Sequence, residues 1–250
     1  MKNKIRCLVL LLCAASLISL TACGQKNPPT DVSSPPAASP SPVKESSIMP
    51  NETAEAIFAL AVKNDPAPAT AVFGFGSGNE ARMVLRGDTQ DPYIQAGQEM
   101  AASFTDMGAD VSEEDVQLLV NATKTMLSKL DYSAEIKEMD REAGTAVVTS
   151  HVGYFEDDAI KNAMDGVLDE ILADPDAAMG DESDLYSVLI HRFAEAMSAI
   201  EPAEGTRDFD TDFQVKTLSV NGQEKSVWMP ADLSGFGADL SGNAMGDLSN

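Results

Sequence analysis

The sequence predicts an α+β domain in which helices pack on one face of a curved antiparallel sheet. Segments with helical periodicity and segments with alternating periodicity form separate blocks, without the strand–helix–strand alternation that is typical of a parallel sheet. The alternating segments also come in pairs joined by short turns, as in antiparallel hairpins. The chain has 250 residues, 44% of them hydrophobic, so it can fill a globular core.

Five helices are predicted by apolar residues that recur three and four positions apart. Ser112 with Asp115 resembles a capping pair that would start the third helix. Residues 67–90 have a weaker pattern, and Val72-Phe73 with Met83–Leu85 are expected to form a short hairpin there. The apolar faces of the five helices are Ala54–Ala61, Ile94–Phe104, Val116–Leu130, Ile160–Ile171 and Leu185–Ile200.

Alternating apolar and polar residues predict four strands in two hairpins. Ala143-Gly144 provides the turn of the first hairpin, and Asn221-Gly222 provides that of the second. Trp228, the only tryptophan, falls in the last strand, where we interpret it as a core residue, with a ligand platform as the alternative. The predicted strands lie at 132–136, 146–154, 209–215 and 227–229.

The N-terminus has the pattern of a secretory signal peptide, residues 1–22. Residues 1–6 carry three basic side chains and no acid, and residues 7–20 are mostly apolar but short for a membrane span. Leu20-Thr21-Ala22-Cys23 resembles the bacterial lipobox, in which the signal is cut just before a cysteine. The resemblance implies a diacylglyceryl thioether on Cys23 and a fatty acid such as palmitate on the new amino terminus.

Lipid attachment at Cys23 would make the bilayer the first partner of the chain, because two acyl chains hold a protein where one is marginal. Cys7 and Cys13 lie in the signal, so the domain has no thiol for a disulfide, a metal site or nucleophilic catalysis. We therefore expect a bacterial lipoprotein at the extracytoplasmic face of the cell membrane. The alternative is an ordinary cleaved signal followed by a chance cysteine.

A Pro/Ser-rich tether, residues 23–50, follows the signal. Residues 24–50 contain seven prolines, six serines and no aromatic residue, so we expect a disordered spacer that cannot bury a core. The globular domain is expected at 51–233. A flexible Gly/Ser/Asp-rich tail is expected at 234–250, in which Phe236 and Leu240 could dock back onto the domain.

The chain is strongly acidic, with 17 Lys and Arg against 40 Asp and Glu and a net charge of −23. Residues 51–250 alone carry 12 basic and 38 acidic side chains, a net charge of −26. This charge argues against nucleic acid as a partner, and against electrostatic docking on anionic lipid. Residues 162–191 hold eight acids and no Lys or Arg. We interpret them as a solvated surface, with docking of a cationic partner or divalent ions as the alternative.

Three features of the chain resemble the cystatin-like or nuclear-transport-factor-2-like domains of bacterial lipoproteins. They are a lead helix that ends in an Asn-Asp turn, the strand pair YSAEIKEMDREAGTAVVTSHV and the closing pair DFQVKTLSVNGQEKSVWMPADL. In that family a helix-backed curved sheet ends in a strand that bears a tryptophan, here Trp228. The resemblance covers residues 51–233 and implies the fold, without an assigned activity, cofactor or catalytic residue. The helices at 157–200 would be an addition to the compact form.

Candidate chemical groups are few. His151 lies on the strand face opposite Val148 and Val152, and His191 lies at the edge of a helix. Because no third kind of metal ligand clusters near either in the sequence, we interpret both as ordinary surface or edge residues. Segment Gly74–Asn79 fits neither nucleotide-binding template nor the nucleophile elbow, and we interpret it as a flexible turn.

Asp208, Asp210 and Asp212 alternate along a predicted strand and therefore share one face. Spaced carboxylates can bind calcium, but an EF-hand loop needs glycine where Phe213 stands and glutamate where Ser219 stands. We interpret the three aspartates as a solvated strand face, whose like charges hinder edge pairing with other chains.

These observations favour a non-enzymatic, lipid-anchored binding or assembly module, with a protein or small molecule as its ligand. No catalytic, metal or cofactor set is assigned. The alternative is an enzyme or small-molecule-binding protein with a cone-shaped pocket, in which a buried acid acts with Tyr132 or Tyr154. A transporter's solute-binding lipoprotein is disfavoured, because it needs two α/β lobes.

Overall fold

The computed structural model describes residues 48–173 and 182–245, without the side chains of residues 182–184. Within these ranges the helices are α1 Pro50–Ala61, α2 Ala67–Phe73, α3 Gly78–Arg86, α4 Pro92–Asp106, α5 Glu113–Ser128, α6 Ala159–Ala173, α7 Glu182–Ala199 and α8 Leu233–Met245. The strands are β1 Tyr132–Asp140, β2 Thr145–Val152, β3 Arg207–Val220 and β4 Gln223–Pro230. The signal peptide, Cys23 and the tether up to residue 47 lie outside the described residues.

The four strands form one antiparallel sheet in the order β1–β2–β3–β4, which confirms the α+β class. Helices α1 and α8 cover the same face of this sheet. The ring of Phe58 in α1 stacks on Tyr132, with centroids 4.4 Å apart, and Phe236 in α8 packs against Phe209 and Phe213. Because α1 and α8 lie on one side, the opposite face of β1, β2 and β3 remains open.

Two apolar clusters fill the described part of the molecule. The first lies between the sheet and helices α1, α2, α3 and α8, with Tyr93 of α4 and Val120, Met126 and Leu127 of α5, and the second lies among helices α4 to α7. Within the second cluster α5 packs on both α4 and α7. Gly97 allows the close approach of α4 to α5, because a Cβ at this position would lie 2.4 Å from Cγ2 of Val120. The helix pairs α4–α5 and α6–α7 therefore form a second apolar core beside the core that lies behind the sheet.

Most element boundaries follow the local signals in the sequence. The Ser112 hydroxyl accepts the Asp115 amide at 3.1 Å, and the Asp115 carboxylate accepts the Ser112 amide at 3.0 Å, so the predicted capping pair is confirmed. Asn221 and Gly222 both have positive φ angles, 52° and 71°, as a two-residue hairpin turn requires. The β3–β4 hairpin is thus joined as its sequence predicts.

The expected hairpin within residues 67–90 is wrong, because this segment forms helices α2 and α3. The Ser77 hydroxyl accepts the Glu80 amide at 3.1 Å and starts α3. Gly74 and Gly87 follow α2 and α3 in the left-handed conformation, with φ angles of 75° and 83°. Capping residues thus set the ends of two short helices. Each helix is too short to give a clear apolar period in the sequence, which is why a hairpin was expected instead.

The expected flexible tail is wrong for residues 234–245, which belong to α8, while residues 246–250 lie outside the described ranges. Phe236 and Leu240 are 1% and 0% exposed, so their docking onto the domain is confirmed. Phe155 also donates its amide to the Ala244 carbonyl at 2.9 Å. The glycines of this segment suggested flexibility, but Phe236, Leu240 and Ala244 recur at helical spacing and bury one face.

Candidate functional site on the open face of the sheet

The open face is the side of β1, β2 and β3 that lies opposite α1 and α8. Successive strand residues point to opposite faces, and in β2 the even-numbered residues from Ala146 to Val152 are buried in the first cluster. The odd-numbered residues of β2 therefore point outward. Strand pairing aligns three of them with β1 and β3 in rows, which are Ser133–His151–Asp208 (row one), Glu135–Thr149–Asp210 (row two) and Glu138–Val147–Asp212 (row three). The fourth, Thr145, pairs with Asp140 and Gln214 at the end of the face.

Row one contains a histidine between two carboxylates. Nδ1 of His151 lies 2.9 Å from Oδ1 of Asp208, and Nε2 lies 3.8 Å from Oε1 of Glu135 in the next row. The hydrogen bond from His151, with a second from the Thr206 hydroxyl, lowers the pKa of Asp208. His151 thus has carboxylate neighbours that the sequence order did not reveal. Among the residues that the structure describes, no group of three or more His, Cys, Asp and Glu could hold a metal ion.

In row two, Asp210 is paired with a lysine of β1. The register of β1 shifts between Ile136 and Glu138, and this bulge leaves Lys137 and Glu138 both exposed. The Lys137 ammonium reaches across β2 to the Asp210 carboxylate, which also accepts the Thr149 hydroxyl at 2.6 Å. The hydrogen bonds from Lys137 and Thr149 lower the pKa of Asp210. Asp210 is therefore tied into a network that spans three strands.

Row three differs from the other two, because its carboxylates lack such partners. Within residues 48–173 and 182–245, neither Glu138 nor Asp212 has a side-chain hydrogen bond or ion pair, although the Lys137 charge is near Glu138. The row lies in an open groove of about 460 Å³ at the bulged end of the sheet. Its lining includes Glu138, Met139, Val147, Asp212, Gln214 and Ala231. Carboxylates beside apolar surface make this groove the part of the open face best suited to bind a cation.

His191 lies apart from the open face and contacts Asp115 at the start of α5. Its Nε2 is 3.2 Å from Oδ1 of Asp115, whose other oxygen accepts the Ser112 hydroxyl at 2.7 Å. Burial alone would raise the pKa of Asp115, but the hydrogen bonds from Ser112 and the contact with His191 lower it. Nucleophilic catalysis needs the histidine between serine and acid, whereas here the acid lies between the other two. The trio therefore caps α5 and joins it to α7.

The two tyrosines of the enzymatic alternative have other partners. The Tyr132 hydroxyl lies 2.8 Å from Oγ of Ser150, and burial raises the pKa of Tyr132. The ring of Tyr154 lies under the guanidinium of Arg207, 4.3 Å from the ring centroid. In the described part of the chain neither hydroxyl bonds a carboxylate, so the geometry gives no support to a catalytic acid–tyrosine pair.

Two other segments singled out by the sequence are structural. Trp228 is 5% exposed and belongs to the first cluster, as expected for a core residue. The segment Gly74–Asn79, whose last two residues begin α3, packs against the β3–β4 turn through hydrogen bonds. Its interpretation as a flexible turn is therefore corrected. Asn221 donates its side-chain amide to the Gly74 carbonyl at 3.0 Å and its backbone amide to Glu80 at 3.1 Å.

The acidic stretch 162–191 is only partly described. Asp169 and Glu170 are exposed on α6 and Asp165 is half-buried, which agrees with a solvated helix surface. Residues 174–181, with three of the eight acids, lie outside the described residues, and the side chains of Glu182 and Asp184 are not described. The open face is therefore the better defined acidic surface.

No model of a protein family matches the chain, and a comparison with curated proteins finds no match. A comparison with solved structures finds the crystal structure of ycdA from Bacillus subtilis, which is described as a candidate lipoprotein. The TM-score is 0.47 at 14% sequence identity, and the similarity covers 78% of this chain and 56% of the other. This chain thus spans little more than half the length of that protein. None of the helices in the described ranges has the length and apolar character needed to cross a membrane.

Proposed function

We propose that this chain is a bacterial lipoprotein, held at the extracytoplasmic face of the cell membrane through acylated Cys23, whose α+β domain is a non-enzymatic binding or assembly module. One observation carries the binding role. In the part of the chain that the structure describes, α1 and α8 pack on one face of the sheet, and the open face presents three rows that are polar except for Val147. A polar surface of this kind suits recognition of a partner.

The position of the tether supports such a role. The Arg141 guanidinium donates to Sδ of Met49 at 3.5 Å, which places the start of the described chain beside the β1–β2 turn. A proline-rich tether of 27 residues could extend to about 80 Å at ~3.1 Å per residue. The domain could then turn its open face toward a partner at a distance from the lipid surface.

We also propose that the domain is related to the cystatin-like and nuclear-transport-factor-2-like domains. The support is the arrangement of α1 against a four-stranded antiparallel meander, with the tryptophan of the last strand in the core. Helices α2 to α5 and the pair α6–α7 would be insertions into that plan. Helices α4 to α7 carry the second cluster, and the four strands remain paired in one sheet.

The anchor can be tested with radiolabelled palmitate in growing cells. Cys23→Ala should abolish incorporation and release the protein from the membrane fraction, because the thiol that carries the lipid is missing. Cys7→Ala, which removes a thiol of the signal, should keep both the label and the membrane location. Incorporation that survives Cys23→Ala would overturn the anchor.

The binding role can be tested by photocrosslinking on intact cells. A benzoylphenylalanine at Ser133, exposed in row one, should give a discrete adduct with a partner. The same group at Asp239, exposed on α8 on the covered side of the sheet, should not. Equal yields from the two positions, or no adduct from Ser133, would contradict a binding role for the open face.

A further inference from the structure

The rows of the open face are unequal in charge, and this inequality points to one kind of partner. Resting on the proposed function, we infer that the groove at row three binds a lysine or arginine side chain of an extended segment of a partner protein. Among the described residues, the groove lining includes Glu138, Asp140 and Asp212 and no Lys, Arg or His. Its charge is therefore complementary to a cationic side chain.

The three aspartates of β3 that face outward differ in their partners. Asp208 is paired with His151 and Asp210 with Lys137, so both aspartates of the first two rows have a partner within the domain, and Glu135 lies 3.8 Å from His151. Asp212 and Glu138 have no such partner in the described residues, and both are exposed. A cationic side chain that meets one of these exposed carboxylates would add an attraction that the rest of row three does not supply.

The surface between the two carboxylates is long enough and apolar enough for a basic side chain. Val147 of β2 separates Glu138 from Asp212, so their backbones are two strand spacings, roughly 10 Å, apart. Val147 supplies apolar surface in the same groove. Lysine and arginine combine an aliphatic stem with a charged head, and the stem could lie along Val147 while the head meets a carboxylate.

A protein segment fits the open face better than a small cation does. A calcium ion needs six to eight oxygen ligands, at about 2.3–2.6 Å, and the described residues offer no group that could hold a metal. A free amine would contact row three alone. A chain segment would also cross rows one and two, where exposed Ser133 and half-buried Thr149 offer hydrogen bonds. The inferred ligand is therefore a basic protein segment in extended conformation.

The test uses the full-length lipoprotein in detergent micelles and the peptide Val-Lys-Val-Lys-Val-Lys at low ionic strength. Binding is measured by isothermal titration to wild type and to Glu138→Gln/Asp212→Asn. The matched control is Glu204→Gln/Glu224→Gln, which removes the same charge from exposed positions outside the groove. We expect Kd to rise at least fivefold in the groove variant and less than twofold in the control, with unchanged Tm in both.

Four further outcomes decide the inference. Equal weakening by both variants would mean a general charge effect and would overturn it. Spermidine that binds as tightly as the peptide, with the same dependence on Glu138 and Asp212, would overturn the choice of a protein segment. In cells, an adduct at Ser133 that forms equally in the groove variant would refute row three as the site while the proposed binding role stands. Loss of the adduct in the groove variant, with retention in the control variant, would support both.

Discussion

Asp208, Asp210 and Asp212 have the same chemistry and share one face of β3, yet their neighbours give them different roles. Asp208 is held by His151 and Asp210 by Lys137, and hydrogen bonds lower the pKa of both. Asp212 faces the groove without such a partner in the described residues. At the scale of single residues, function therefore depends on which strand register brings which side chain alongside.

Asp115 provides the sharpest prediction at this scale. It is 5% exposed, and its lowered pKa means that the folded state prefers the carboxylate. The resulting stabilisation is present above the ordinary pKa of aspartate, near 4, and is lost as the pH falls through the lower folded value. We expect Asp115→Asn to reduce the free energy of unfolding by about 1–2 kcal/mol at pH 7, measured by urea denaturation.

The loss should shrink as the pH falls below about 4, because the wild-type carboxylate then becomes protonated as well. Asp110→Asn is the control, since Asp110 is exposed just before the capped helix and should change stability little at either pH. A loss of equal size at pH 7 and pH 3 would show that the carboxylate charge does not stabilise the cap.

At the scale of elements, contacts between helices can reverse an intrinsic preference. Alanine is a better helix former than glycine by roughly 1 kcal/mol, so replacing a helical glycine with alanine normally stabilises a protein. At Gly97 of α4, an added Cβ would lie 3.2 Å from the backbone nitrogen of Val120 and 3.3 Å from the Val116 carbonyl oxygen, as well as meeting the Val120 side chain. Backbone atoms of α5 cannot move aside as a flexible side chain can.

Gly97→Ala should therefore destabilise the protein by about 1–3 kcal/mol, because α4 and α5 must separate. Gly166→Ala is the matched control in α6, where nothing lies within 4 Å of the added Cβ, and it should stabilise by up to ~1 kcal/mol. Thermal denaturation of the two variants measures the difference. Stabilisation by both would mean that α4 and α5 are not packed as closely as the structure has them.

Elements with strong local signals could be predicted from the sequence, whereas short or non-local features could not. The capping pair at Ser112 defined the start of α5, and Asn221-Gly222 defined the last turn. Helices α2 and α3 were missed because they have only 7 and 9 residues and glycines beside them.

The candidate site was predictable only in part. Because the side-chain period of a strand is two, the sequence placed Asp208, Asp210 and Asp212 on one face. Their partners depend on the pairing of β2 with β3, which brings Thr149 next to Asp210 across an insertion of two helices. The one-residue bulge that exposes Glu138 has no clear sequence signal. The pairing of strands that are distant in sequence therefore determines the part of the site that sequence periodicity does not predict.

At the scale of the whole molecule, the C-terminal helix completes the core behind the sheet. Residues 51–250 carry a net charge of −26, so the fold must offset considerable repulsion with apolar burial. Helix α8 contributes Phe236, Leu240 and Ala244 to the first cluster. It packs on β2, β3 and β4, the strands that carry or adjoin the open face. The order of the open face thus depends on a helix that lies on the other side of the sheet.

Phe236→Ala tests this dependence. The ring contacts Phe209 and Phe213 at centroid distances of 6.0 and 5.8 Å, and its removal would leave a cavity against β3. We expect a loss of about 3–5 kcal/mol in the free energy of unfolding, followed by the fluorescence of Trp228, which lies in the same cluster. Asp239→Asn, exposed on α8, should leave stability within about 0.5 kcal/mol of wild type. A loss below 1 kcal/mol for Phe236→Ala would mean that α8 does not hold the sheet, and that this segment behaves as the flexible tail its composition suggests.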